Sequence, residues 1–423
     1  MAMSCSASGS GGNHVVVGSL AADGGNTATT TTAELPPLPK GWPATLQIGV
    51  ASPPGDTATL AQSATLRFRY QYLAGGVNTG QSWTTWNSDG RFAAAYVEET
   101  AAHGMLPVLT YYQIRQSRPG DSKGEVDGVK ANRENAGTMG AYFADLRTLF
   151  QQLGDTKATA VVHVEPDLWG YLEQASSHDD ATTVRVRVGS AGVPELAGLP
   201  DTAAGLAAAI VRLRDMYAPN VLLGYHLSAW ATGTDPLYTK PSMEKMDALA
   251  ARSAAFYRSL GAKFDLTFTD AADRDAGFTQ YVSGNSHAWW SADDYARNVR
   301  LLGGFSKGTG LRVVIWQIPL GNGVMRSMNN TTGHYQDNHV QSLIGEGAGA
   351  QLKAYVDAGV IGLLFGGGAG GTTRACDAEK DGITNPAPVN GNGTVATSAD
   401  DDGGYFKQRA SQYQADGPVA LPE

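Results

Sequence analysis

At 423 residues, the chain is long enough for two ordinary domains or for one large α/β barrel. A formal charge of −9 excludes the basic footprint of a nucleic-acid or anionic-membrane binder, so no nucleic acid is expected as partner. Charged residues make up only 17% of the chain and glycines number 53, which suits a secreted protein with long polar loops, and no apolar run reaches transmembrane length.

Residues 1–40 are rich in Gly, Ser and Thr and read as a disordered tail or linker, leaving 41–423 as the folded domain. The opening lacks the basic and apolar regions of a signal peptide. The run "SCSASGSGG" stands where a lipoprotein begins after its signal is removed, which makes Cys5 a candidate lipid-bearing residue and the cell surface or exterior the expected location. Cys376 is the one other cysteine, so neither a disulfide framework nor a cysteine metal site is expected.

From Thr45 onward, short apolar runs alternate with longer helical patterns. Strands are predicted over 45–51, 66–74, 106–112, 159–165, 220–227, 264–270, 311–318 and 360–366. Amphipathic patterns such as "MGAYFADLRTLFQQLG" and "TAAGLAAAIVRLRDMY" lie between them. Eight successive units predict an α/β fold, a single (β/α)8 TIM barrel acting as a monomer. The helix-to-strand links are short, whereas the strand-to-helix segments 113–135, 166–201, 228–241, 271–291, 319–342 and 367–400 are long. In such barrels these loops build the C-terminal face, where sites lie.

Strand 2, "LRFRYQYLA", puts Leu66, Phe68, Tyr70 and Tyr72 on one side and Arg67, Arg69 and Gln71 on the other. If the apolar side meets the helices, the arginines point into the barrel. Asp265 and His163 would answer them there, with Arg69 and His163 supporting the site. Strand 4 runs "TAVVHVEPDLWGYL", and Glu165, at its end before Pro166, is expected to project into the mouth with Asp167 behind it. Asp270 ends strand 6. A pair of carboxyl groups across a barrel mouth is the equipment of glycosidic bond cleavage, one giving a proton and the other activating water or attacking carbon. Glu165, Asp270 and Asp167 are therefore the catalytic candidates, and a tryptophan beside Glu165 would raise its pKa. The aspartates 270, 273 and 275 also admit blander readings, as turn caps or, with Gly277, as calcium ligands. No metal or other cofactor is expected, although His163 with Glu165 could contribute to a metal site.

Seven of the eight tryptophans fall at or after strand ends. Indole faces stack on the C–H faces of sugar rings while loop amides and carboxylates bond the hydroxyls. Trp83, Trp86, Trp169, Trp230, Trp289 and Trp290 are thus expected to line one cleft, with Tyr112, His226, Gln317 and Tyr335 as further contacts to a carbohydrate.

The alternation together with Glu165 at the end of strand 4 resembles the TIM-barrel glycoside hydrolases over roughly residues 44–416. The runs "VVHVEPDLWGYL" and "NVLLGYHLSAW" are similar to consecutive strands of glycoside hydrolase family 6, a resemblance that implies site roles for Glu165 and Asp167. Two departures are plain. Gln317 stands where the largest clan of these barrels has a second glutamate, and "LTYYQIRQSRPGD" lacks the "RDC" run that carries the family 6 acid. The run "NNTTGHYQDNH" (329–339) resembles a motif of uncharacterised secreted bacterial proteins. The expected function is a secreted glycoside hydrolase acting on a poly- or oligosaccharide, and the alternative is a carbohydrate-binding barrel without catalysis. A phosphate cradle in "LFGGGAGGTT" (364–373) is a third possibility, with Arg374 its nearest cation.

Overall fold

The computed structural model describes residues 35–422. Eight parallel strands form a closed barrel: β1 (Gln47–Ala51), β2 (Phe68–Leu73), β3 (Leu106–Tyr111), β4 (Ala160–Val164), β5 (Val221–His226), β6 (Leu266–Asp270), β7 (Val313–Ile318) and β8 (Val360–Phe365). Each pairs with the next, and β8 closes on β1 through Gln47↔Gly362 and Val50↔Phe365. This is the expected (β/α)8 TIM barrel, and every strand lies within a run marked by sequence. Outer helices include Phe92–Ala102, Ala136–Thr156, Ala203–Tyr217, Met243–Ser259 and Ala292–Thr309. Side chains at several N-termini satisfy otherwise unpaired backbone donors: Asn135, Thr202 and Ser242 each accept from the N–H three residues on, and Ser291 forms a reciprocal capping box with Asp294.

The interior corrects one expectation. Phe68, Tyr70 and Tyr72 face inward, where Tyr70 and Tyr72 meet Trp316 at ring-centroid distances of 6.2 and 5.6 Å. Arg69 faces outward. It donates to Ser52 Oγ, Thr100 Oγ1 and the Pro53 carbonyl, lies 3.4 Å from Glu99, and stacks over Tyr96. Arg67 reaches the Gly104 carbonyl, and Asp265 pairs with Arg214 on helix Ala203–Tyr217 at 2.6 Å. Strands of a parallel barrel are covered on both faces, so polarity does not say which face is inside. Here the arginines find carbonyls and acids in the strand–helix seam, and the lumen takes the aromatic rings. Gly224 makes the room, since a Cβ there would stand 2.3 Å from the Phe268 ring.

The N-terminal face of the barrel is shut. Trp42 packs on Phe68 at 5.0 Å and donates to the Ile361 carbonyl, while Arg312 holds the carbonyls of Pro36 and Pro422. Among the described residues, no helix is long and apolar enough to cross a membrane. The long loops sit on the opposite face.

Candidate active site

Register brings Tyr72, Tyr112, His226, Asp270 and Gln317 to the C-terminal ends of β2, β3, β5, β6 and β7, with Asp167 just beyond β4. A cavity of about 330 Å³ opens there, lined by Asp167, Trp230, Asp235, Asp270, Asp273 and Trp290 among others.

The floor of this mouth is a chain of polar groups. Thr110 Oγ1 lies 3.3 Å from His163 Nδ1, His163 Nε2 lies 3.0 Å from His226 Nδ1, and His226 Nε2 lies 3.4 Å from Asp270 Oδ1. Burial, and then the neighbouring His226, hold His163 well below its usual pKa, so its ring carries one proton. One arrangement satisfies the two histidine contacts: Thr110 donates to His163 and His163 to His226, which leaves the His226 Nε2–H facing Asp270. The His163 ring is fixed by stacking on Phe268 at 4.2 Å and by the edge of Trp316 at 4.8 Å.

Asp167 has a different environment. It is half-buried and accepts from the Tyr112 hydroxyl at 3.3 Å. Burial pushes its carboxyl up to about 7; His226 works against this, and the nearby Asp270 and Asp273 add to it. Asp273 is open to the cavity yet enclosed by protein, and it too is raised, first by that enclosure and then by Asp270. Asp167 can carry a proton near neutrality, and Asp270 lies in the same mouth beside the His226 ring. On β7, the strand next to that of Asp270, Gln317 has a positive φ of 52° and donates from Nε2 to the Tyr72 hydroxyl at 2.6 Å. Gly368 permits this, because a Cβ there would meet Gln317 Nε2 at 1.5 Å.

Glu165 lies elsewhere. The strand alternation would aim it into the lumen, but its backbone adopts φ 51° and turns the side chain aside. It is fully buried, accepts from the N–H groups of Gln113 and Ile114 at 3.1 and 3.2 Å, and faces the Tyr142 phenol. Burial pushes its carboxyl up to about 8. The expectation that it projects into the mouth is corrected by this turn.

The tryptophans also divide. Trp230, tilted on Tyr171, and Trp290, against Tyr295 and His339, wall the acidic cavity. Trp83 is fully buried and donates to Asp145, which also accepts from Tyr111. Trp169 is fully buried too, donating to the Val164 carbonyl and packing on Tyr225 and Phe264 between barrel and helices. Trp86 is exposed and edge-on to Phe92, Trp289 donates to Gln280, and Tyr335 is buried against Phe278. The single six-tryptophan cleft is therefore corrected to two walls. An indole N–H needs a partner when buried, and Trp83 and Trp169 found theirs in the packing layer. Among the described residues, no group of three or more His, Cys, Asp or Glu side chains is placed to hold a metal ion.

Sequence reasoning passed over Tyr72 and gave Asp273 no catalytic part. Tyr72 sits at the end of β2 and would have been found by assigning the strand's aromatic face inward.

No protein-family model and no curated protein sequence matches the chain. Solved structures do, as folds. The AHE enzyme from Alicyclobacillus herbarius is 12% identical with a TM-score of 0.49, over 89% of this chain and 98% of that one. A modular endo-β-1,4-mannanase of glycoside hydrolase family 26 from Cellulomonas fimi is 12% identical at 0.44, over 89% and 75%. The GH53 catalytic domain from Ignisphaera aggregans is 9% identical at 0.41, over 78% and 87%. At these identities the likeness is one of barrel architecture, and a barrel hosts many chemistries.

Proposed function

We propose that the protein is a glycoside hydrolase whose acid and second carboxylate are Asp167 and Asp270. The observation that carries this reading is their convergence on one cavity. Asp167, protonated near neutrality, gives its proton to the leaving glycosidic oxygen. Asp270, placed beside His226, supports the anomeric carbon or activates water. Trp230 and Trp290 offer apolar faces to sugar rings, and Asp235 and Asp273 accept from hydroxyls. Glu165, turned away from the cavity, fixes the β3–β4 rim instead.

The test is reducing-sugar release from a panel of polysaccharides, with Asp167→Asn and Asp270→Asn beside the parent chain. Release that both changes abolish supports the reading. Saturable oligosaccharide binding without any release supports the non-catalytic carbohydrate-binding alternative.

We also propose that the enzyme lies outside the cell or on its surface, on the strength of its Gly-rich composition with few charged residues. Cys5, the candidate lipid anchor, lies outside the described residues. Fractionation of expressing cells tests this, and a wholly cytosolic protein would contradict it.

A further inference from the structure

A second cavity, of about 570 Å³, opens on the same face between the ends of β1, β2 and β8. Ser52, Gln71, Tyr72, Gly367, Arg374 and Lys407 are among its lining residues. Its two cations are not equivalent. Lys407 is already paired with Asp400 at 2.9 Å. Arg374 is half-buried and, among the described residues, has no carboxylate within ion-pair distance. Its N–H groups reach only the Gly367 and Ala369 carbonyls, both at 3.4 Å. A partly desolvated guanidinium without an anion is an incomplete pair, and those long contacts are easily exchanged for better ones.

The two cavities adjoin. Tyr72 lines the second and holds Gln317, while Gly368, also in its wall, donates its N–H to the Asp273 carbonyl at 3.3 Å. The Asp273 side chain lines the first cavity. A saccharide lying across Tyr72 would thus set one ring among the aspartates and its neighbour beside Arg374. The first cavity sets four aspartates, Asp167, Asp235, Asp270 and Asp273, beside Arg274 and Arg297, the latter already paired with Asp294 at 2.7 Å. Among the described residues Asp56 is the one acid in the wall of the second, so the second suits an anionic substituent better.

We infer that this cavity is a subsite for the carboxylate of a uronic-acid residue, which makes the substrate an acidic, uronate-bearing saccharide. The inference rests on the hydrolase reading of the neighbouring mouth. A carboxylate fits better than a phosphate. One guanidinium is uncompensated, Asp56 also lines the wall, and the planar fork matches two coplanar oxygens.

The test is calorimetric titration of the full chain with trimers of galacturonate, glucuronate and mannuronate beside trimers of galactose, glucose and mannose. At least one uronate should bind about tenfold or more tightly than its neutral counterpart, a typical gain for a charge-assisted pair. Arg374→Gln should remove that preference while leaving neutral binding and melting temperature unchanged. Arg374→Lys, which keeps the charge but loses the fork, should retain part of it and serves if the glutamine variant does not fold. No preference for any uronate, or a preference that survives Arg374→Gln, overturns the inference. So does tighter Arg374-dependent binding of dextran sulfate oligosaccharides than of every uronate. Arg374-dependent uronate binding with no bond cleaved anywhere on the panel would leave the subsite standing and sink the hydrolase reading. Cleavage of neutral glycans indifferent to Arg374, with no uronate preference, would do the reverse.

Discussion

His226 Nε2 lies 3.4 Å from Asp270 Oδ1, at the end of a polar chain that begins inside the barrel at Thr110. The relationship sets the Asp270 carboxylate against the His226 ring, which helps to orient it. His226→Leu removes the donor, whereas His226→Gln keeps an N–H within reach. Turnover should fall in the order parent, Gln, Leu, with the leucine variant down about tenfold or more and KM less affected. Steady-state kinetics on a cleaved glycan checks this. A rise in KM alone would make His226 a binding residue.

The pH profile should follow Asp167. Its proton, held up to a pKa of about 7 chiefly by burial and further by Asp270 and Asp273, is needed for leaving-group protonation. Activity should therefore fall as pH rises through about 7. Asp273→Asn removes one of the charges that raise this pKa, so it should move the basic limb to lower pH. Kinetics from pH 5 to 9 reads the direction of the shift.

The aromatic walls and the aromatic packing should respond differently. Trp230→Ala and Trp290→Ala are expected to weaken oligosaccharide binding by about 1–3 kcal/mol each, the scale of lost stacking and apolar contact. Trp83→Ala and Trp169→Ala should instead cost about 3–5 kcal/mol of stability, as buried aromatic truncations do. Calorimetric binding beside denaturant unfolding separates the two classes.

The barrel was legible because each strand is a compact apolar run between helices that carry their own caps and periodicity. Asp270 was legible as well, since a carboxylate ending a strand of such a barrel faces the mouth. What could not be read was direction at two kinds of place. In β2 both faces are buried, so the alternation of Arg67 and Arg69 with Phe68 and Tyr70 allowed either assignment, and packing against Trp316 and Glu99 decided it. At Glu165 and Gln317 the chain takes positive φ without glycine. Sequence gives no sign of such a turn, and each turn redirects a side chain that strict alternation would have placed elsewhere.

Glu165 supplies a stability prediction. Its pKa in the folded chain is raised from 4.5 to about 8, so the native state keeps a proton that the unfolded chain releases. The stability it contributes is fully present below about pH 4.5 and is lost as pH rises through about 8, at roughly 1.4 kcal/mol per pH unit. Glu165→Gln can still accept from Gln113 and Ile114 and has no proton to lose. The variant should show a shallower decline in melting temperature between pH 5 and 8, with turnover per folded molecule kept. An unchanged slope would show that the group is ionised in the fold.

In the proposed mechanism Asp167 delivers the proton. The most direct test is turnover of Asp167→Asn at pH 6 on a glycan that the parent chain cleaves, measured beside melting temperature and oligosaccharide affinity. Turnover should fall by at least about a hundredfold, the low end for general acid catalysis, with folding and binding retained. Turnover per folded molecule equal to that of the parent would contradict that role.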